Sequence, residues 1–290
     1  MQIVDRGSGP PLVLIPGLQG RWEYLRPAVD ALSSCFRVLT FSLDADDLDG
    51  YAEQVARALS EKGIERATIC GVSFGGLIAV RFAAKHPARC RALVLASTPQ
   101  PALRLRRRHQ MYLRAPWIFG PVFLAESPLR LLPEICAAIP DPRARRRFAM
   151  RGLRTLFSSP VSLSRMAARA RLTSIDAGDC ERITAPTLII TGERGLDHVV
   201  AVDGSSEYAR RIRNARSVVL ERTGHLGTIT RPEAFTDVVR EFVCAGADLA
   251  RPQDGGLRAA GASVSLAEAP SSAEGAKAET GSAPARGRVA

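Results

Sequence analysis

Lysine is almost missing from this chain: three stand among 290 residues. The 40 basic residues are therefore nearly all arginine, and with alanine abundant this points to a coding bias before it points to a purpose-built cationic surface. No apolar run approaches the roughly 20 residues that cross a bilayer as a helix. The N-terminus has no basic segment ahead of an apolar stretch. Leu12-Val13-Leu14-Ile15 is short and closes on Pro16-Gly17, so it reads as a strand and not a signal peptide, and the expected location is the cytoplasm. The six cysteines (Cys35, Cys70, Cys90, Cys136, Cys180, Cys244) form no C-x-x-C and share no metal-ligand spacing with the four histidines. Most of them read as small core hydrophobes, and no metal or organic cofactor is called for. There is no internal repeat.

The net charge of +11 is unevenly spread. Between Thr98 and Ala185 stand 16 arginines against 6 acids, which leaves the rest of the chain near neutrality at +1. The densest runs are Arg104, Arg106, Arg107, Arg108 and Arg143, Arg145, Arg146, Arg147. Solvated helix faces are the first reading of such runs, ahead of a dedicated anion site. No recognisable nucleic-acid module accompanies them, so nucleic acid is not an expected partner.

What is present is a serine in a particular setting. Gly71-Val72-Ser73-Phe74-Gly75 fits G-x-S-x-G, a sharp strand-to-helix turn that presents a hydroxyl at the end of a sheet. Ala67–Cys70 before it is a short apolar run, a buried strand. Leu77–His86 after it is helix-compatible and stops at Pro87. Cys70, inside that strand, is a core residue and not a second nucleophile.

Strand and helix patterns alternate up to residue 98: strands at Leu12–Ile15 and Phe36–Phe41, helices at Leu25–Leu32 and Tyr51–Lys62, the strand and helix around Ser73, and a strand at Ala92–Ala96. In the second helix Ala52, Val55, Ala56 and Leu59 share one face. Unbroken apolar strands alternating with helices predict an α/β fold, a mostly parallel sheet with helices on both faces. Residues 99–183 have helical pattern and no convincing strand. Alternation resumes with Thr187–Thr191, a helix at Ser206–Ile212, a strand at Ser217–Leu220 and a helix at Pro232–Val243. The expected organisation is a core of 1–98 and 184–245, an arginine-rich helical lid at 99–183, and a disordered tail at 246–290, poor in large apolar side chains.

A serine hydroxyl needs an adjacent base, and the base an orienting carboxylate. His225 is the best-placed base, on the loop after a short strand. His86 sits at a helix end, His109 in an arginine run, and His198 beside the candidate acid. The acid belongs at a strand's carboxyl end, on Gly192–Val200. Asp197 is the first choice and Glu193 the second, with pairing to Arg194 as the purely structural role for either. The Phe74 amide, at a helix start, and an amide of Pro16–Gly20, naturally that of Leu18, are candidate oxyanion donors.

Four segments in order, Pro11–Gly17, Gly71–Gly76, Ala185–Glu193 and Gly224-His225 followed by Arg231-Pro232-Glu233, make residues 10–245 resemble the α/β-hydrolase superfamily, specifically its lid-bearing, esterase-like serine hydrolases. The resemblance implies the α/β-hydrolase fold, Ser73 as nucleophile, Asp197 as acid and His225 as base, with Leu18 and Phe74 forming the oxyanion hole. It implies a small acyl substrate and no cofactor. The chain departs from the pattern at Pro16-Gly17, where family members usually carry His-Gly, and in an acid loop longer than the usual G-x-x-D. It also begins close to the first core strands, so an edge strand is expected to be short or missing. A serine at the elbow argues against dehalogenase and epoxide-hydrolase chemistry. Ester hydrolysis leads. Carbon–carbon bond hydrolysis, thioester or lactone cleavage, acyl transfer and a non-catalytic ligand-binding protein on the same fold stay open. The basic, partly apolar insert, with Trp117, Ile118, Phe119, Val122, Phe123 and Leu124, would suit an anionic acyl substrate or an anionic membrane surface.

Overall fold

In the computed structural model, which describes residues 1–103, 107–174 and 179–249, the chain opens with β1 (Ile3–Arg6) and β2 (Pro11–Ile15). A tight helical turn at Trp22–Leu25 leads into α1 (Arg26–Leu32), then come β3 (Arg37–Phe41), α2 (Leu48–Glu61), β4 (Ala67–Val72), α3 (Phe74–Lys85) and β5 (Cys90–Ala96). Four helices follow without a strand between them: α4 (Arg107–Arg114), α5 (Pro116–Ala138), α6 (Pro142–Ser158) and α7 (Leu163–Leu172). The alternation then resumes with β6 (Thr187–Thr191), α8 (Val202–Arg211), β7 (Ala215–Val219), α9 (Gly227–Thr230) and α10 (Pro232–Leu249).

The seven strands lie in the order β1-β3-β2-β4-β5-β6-β7, and every pairing except β1 with β3 is parallel. Both faces are covered, so both alternating sets of strand side chains must be apolar. Val13, Ile15, Leu39, Ile69, Leu93, Leu95 and Ile189 pack with Tyr51, Val55, Leu59, Ile78, Phe82 and Tyr208 of α2, α3 and α8. Leu12, Leu14, Val38, Cys70, Val94, Leu188 and Ile190 point the other way, against Val29 and Leu32 of α1 and Phe235 and Val239 of α10. Each fully buried side chain of this kind contributes about 1.5–3 kcal/mol, so the two apolar layers hold the sheet. The face of α2 expected from its periodicity is the buried one, and Asp47 caps that helix by accepting the Gly50 amide at 2.7 Å.

This strand order places the site. From β2 the chain steps to β3 on one side, then returns past β2 to β4 on the other. The loops leaving the carboxyl ends of β2 and β4 therefore diverge and open a crevice between them, the position where ligands bind in open α/β sheets. The segment 16–20 lies on one side of that crevice and Ser73 on the other.

Several boundaries move. The edge strand is present and short, four residues of β1 paired Ile3 to Phe41. The last helix runs to Leu249, past the expected boundary at 246. Residues 250–290, the remainder of the expected tail, lie outside the described residues, as do Arg104, Arg106 and the side chains of Arg108, His109, Phe119, Val122, Phe123 and Leu124. Of the cysteines, Cys70, Cys90 and Cys180 are buried, Cys35 is half-buried, and Cys136 and Cys244 are exposed. Burial pushes the Cys70 thiol upward, which removes it as a nucleophile. Among the described residues no helix is long and apolar enough to cross a membrane.

Candidate active site

Ser73 joins β4 to α3 at φ 53° and ψ −121°, a backbone conformation that an L-residue adopts only under constraint. Two contacts enforce it. The Ser73 amide donates to Ala96 O of the neighbouring strand at 2.8 Å, and Gly75 lies so close to the end of β2 that a Cβ there would sit 2.4 Å from Ile15 O. The elbow is thus wedged between β2 and β5, and the hydroxyl has one way to face. Phe74 is the first residue of α3, so its amide has no carbonyl to meet within the helix.

The other two predicted residues come from the distant half of the chain. His225, on the loop between β7 and α9, brings Nε2 to 3.0 Å from Ser73 Oγ. Its Nδ1 faces Asp197 Oδ2 at 3.5 Å, ion-pair range and longer than a normal hydrogen bond. Asp197 has a side chain only 2% exposed. Its other oxygen, Oδ1, accepts the amides of Val199 at 2.9 Å and Val200 at 2.8 Å, so the carboxylate is oriented by its own loop. Burial opposes its ionisation, but the His225 imidazole and the two amides outweigh burial and hold the carboxyl below the usual aspartate value.

The structure separates Asp197 from its competitor. Glu193 Oε1 accepts the Arg222 amide at 2.6 Å, and the Glu193 amide donates to Thr223 O at 2.7 Å. Glu193 thus ties its own loop to the loop that carries His225, with Oε1 on a main-chain amide. Arg194 pairs with Asp203 and with neither candidate acid. His86 is occupied with Glu53 at 3.2 Å, and His198 is exposed.

The loop after β2 closes the site from the opposite side. Gly17 O accepts the Gly20 amide at 2.9 Å, making a turn with Leu18 and Gln19 at its centre, and a Cβ on Gly17 would fall 3.4 Å from Ser73 Cβ. A cavity of about 380 Å³ beside this turn, lined by Gln19, Trp22, Asp44, Arg165 and Arg169, does not reach Ser73. Among the described residues no three His, Cys, Asp or Glu side chains are grouped to hold a metal ion.

Two side chains at this centre escaped the sequence reading. Glu134 of α5 is fully buried, and its Oε1 accepts the amide of Leu226, next to His225, at 2.5 Å. Burial pushes its carboxyl above the usual glutamate value, against the pull of the Gly224 and Leu226 amides and of His225. Arg169 of α7 is 4% exposed, and its guanidinium donates to main-chain carbonyls of the turn after β2. One signal was available for Arg169: it stands three residues after Met166, on the face that α7 buries. Nothing in sequence distinguished Glu134.

A family model described as the alpha/beta hydrolase fold matches residues 10–232. The chain belongs to the alpha/beta hydrolase fold family. Among its curated relatives is the poly(3-hydroxyalkanoate) depolymerase of Ectopseudomonas oleovorans, 26% identical over 248 residues that cover 80% of this chain and 84% of that one. Another is the 2-hydroxymuconate semialdehyde hydrolase of Pseudomonas sp. strain CF600, 28% identical over 262 residues, covering 82% and 88%. Among solved structures, the enol-lactonase from Burkholderia xenovorans LB400 superposes with a TM-score of 0.65 at 24% identity, covering 84% of this chain and 96% of that one, which shows a shared fold. The three are named for different substrates.

Proposed function

We propose that this protein is a serine hydrolase that cleaves a carboxylic ester or related acyl compound through an acyl-serine intermediate. The observation that carries the reading is Ser73 Oγ at 3.0 Å from His225 Nε2, with a buried carboxylate on the far side of the same imidazole. Ser73 Oγ attacks the acyl carbon while His225 Nε2 takes its proton. The Leu18 and Phe74 amides receive the developing oxyanion. His225 then protonates the leaving alkoxide, and water, deprotonated by the same nitrogen, releases the acid and restores Ser73. Asp197 holds the imidazole in the tautomer that can accept at Nε2 and stabilises the imidazolium.

The helices α4–α7 serve as the lid of this site. The α6 arginines Arg143, Arg146, Arg147, Arg151 and Arg154 are exposed, which favours solvated faces over an anion subsite. A fluorophosphonate probe tests the core of the proposal. Labelling at Ser73 that disappears in Ser73→Ala is expected, together with loss of turnover across p-nitrophenyl esters, thioesters and lactones. Folded protein that takes up no probe would overturn the reading in favour of a ligand-binding role.

A further inference from the structure

A buried guanidinium normally meets a carboxylate. Arg169 is buried, and among the described residues it has no carboxylate partner. Its donors go instead to three main-chain carbonyls and a phenol: Nη1 to Leu18 O at 3.3 Å and Gln19 O at 3.2 Å, Nη2 to Leu43 O at 3.1 Å, and Nε to Tyr51 Oη at 3.2 Å. The guanidinium also lies flat against the turn, since a Cβ on Gly20 would fall 2.3 Å from its central carbon. Leu18 O belongs to the central peptide of the Gly17–Gly20 turn. Rotation of that peptide interconverts turn types and re-aims the residues on either side of it. A donor on Leu18 O therefore holds the turn in one form; the Leu18 N–H shares its peptide plane with Gly17 O, which the Gly20 amide holds at 2.9 Å across the same turn, so Arg169 acts on that N–H through the turn as a whole. The same arginine reaches the second oxyanion donor through one contact more, because the Tyr51 ring packs edge-on against Phe74 at 5.8 Å.

The opposite wall repeats the arrangement with the opposite charge. Glu134 is fully buried, and it uses Oε1 on the Leu226 amide and leaves Oε2 without a hydrogen-bond partner. Both side chains come from the insert, Arg169 from α7 and Glu134 from α5. Both end on the main chain of a loop that faces Ser73.

We propose that Arg169 and Glu134 are positioning residues through which the helical insert sets the turn that carries the Leu18 amide and the loop that carries His225. The insert then does more than cover the substrate: the oxyanion site and the base are assembled only when it is docked. This rests on the serine-hydrolase reading. Neither side chain needs to touch substrate.

The test compares Arg169→Met and Glu134→Ala with a control on the helix of Arg169, Arg165→Met, whose arginine is exposed and pairs with Asp44. The readouts are the rate of Ser73 phosphonylation, kcat and KM on a p-nitrophenyl ester, and the affinity for a trifluoromethyl ketone, which mimics the tetrahedral oxyanion. Arg169→Met is expected to lower kcat by about 10–100-fold, to weaken the ketone in step with kcat/KM, and to leave KM within about threefold. Glu134→Ala is expected to slow phosphonylation, and Glu134→Gln, whose amide oxygen can still accept the Leu226 N–H, to restore most of it. Should Arg169→Met fail to fold, Arg169→Lys, which keeps the charge and loses the fork, decides the point. Variants that label and turn over like Arg165→Met overturn the proposal. A wild-type protein that is never labelled overturns the hydrolase reading instead.

Discussion

Asp197→Asn isolates one charge. The substituted side chain keeps an oxygen for the Val199 and Val200 amides, so the acid loop holds its shape. The negative charge 3.5 Å from His225 Nδ1 is what disappears. A general base must start neutral, and on a neutral imidazole that charge has little to act on. In the transition state the imidazole carries a full positive charge. Two unit charges at this separation in an effective dielectric of about 20 attract by about 5 kcal/mol. Nearly all of that attraction is realised only in the transition state, so it falls on kcat. At 1.36 kcal/mol per tenfold, the expected loss is about 10³–10⁴-fold. The new amide NH2 adds to it by donating toward Nδ1, which favours the tautomer whose Nε2 already bears a proton and cannot take one from Ser73. The assay is kcat and KM on the best p-nitrophenyl ester, with active sites counted by fluorophosphonate and folding checked by thermal unfolding. KM should stay within about threefold. A folded Asp197→Asn variant with kcat within tenfold of wild type would refute the reasoning, and a large loss in Glu193→Gln would transfer the role to that residue.

Two further predictions concern stability. Ser73→Gly should be inactive yet more stable than the equally inactive Ser73→Ala by about 1 kcal/mol, because relief of about 1–3 kcal/mol of backbone strain exceeds glycine's entropic cost of about 0.5–1 kcal/mol; a Tm for Ser73→Ala at or above that of Ser73→Gly would show that the elbow is unstrained. Asp197 and Glu134 should bend the stability curve in opposite directions. The Asp197 value is lowered on folding, so its contribution is present above the ordinary aspartate pKa and lost as pH falls through the folded value. The Glu134 value is raised, so its contribution is complete below the ordinary glutamate pKa and lost as pH rises through the folded value. Urea midpoints from about pH 4 to about pH 8 should show Glu134→Gln gaining on the wild type as pH rises; parallel curves would contradict the assignment.

Much of the fold was legible because its signals are local. Apolar runs such as Leu12–Ile15 and Thr187–Thr191 declare strands covered on both faces, and the period of Ala52, Val55 and Leu59 declares the side on which α2 is buried. Ser73 was legible for a similar reason: its turn needs small residues at defined offsets, and these stand within five positions. Element ends were less so. α10 runs on to Leu249, which composition near Gly246 does not report. The fates of the cysteines also differ by surroundings alone: Cys136 is exposed on α5 and Cys90 is buried in β5.

Taken alone, the sequence determined the alternation of the core strands and helices and singled out the elbow at Ser73 and His225 as a candidate base, since these follow from periodicity or from short turns with restricted chemistry. Only the tertiary structure distinguishes the surroundings of Asp197 from those of Glu193. They stand four positions apart on one loop, and the difference is which carboxylate faces an imidazole and which faces the Arg222 amide. It also picked Arg169 from the insert's 16 arginines, and Glu134 from its few acids. Ser73 and His225 stand 152 residues apart in the chain, Arg169 and Leu18 stand 151 apart, and such contacts exist only once the parallel sheet has gathered the carboxyl ends of its strands at one edge.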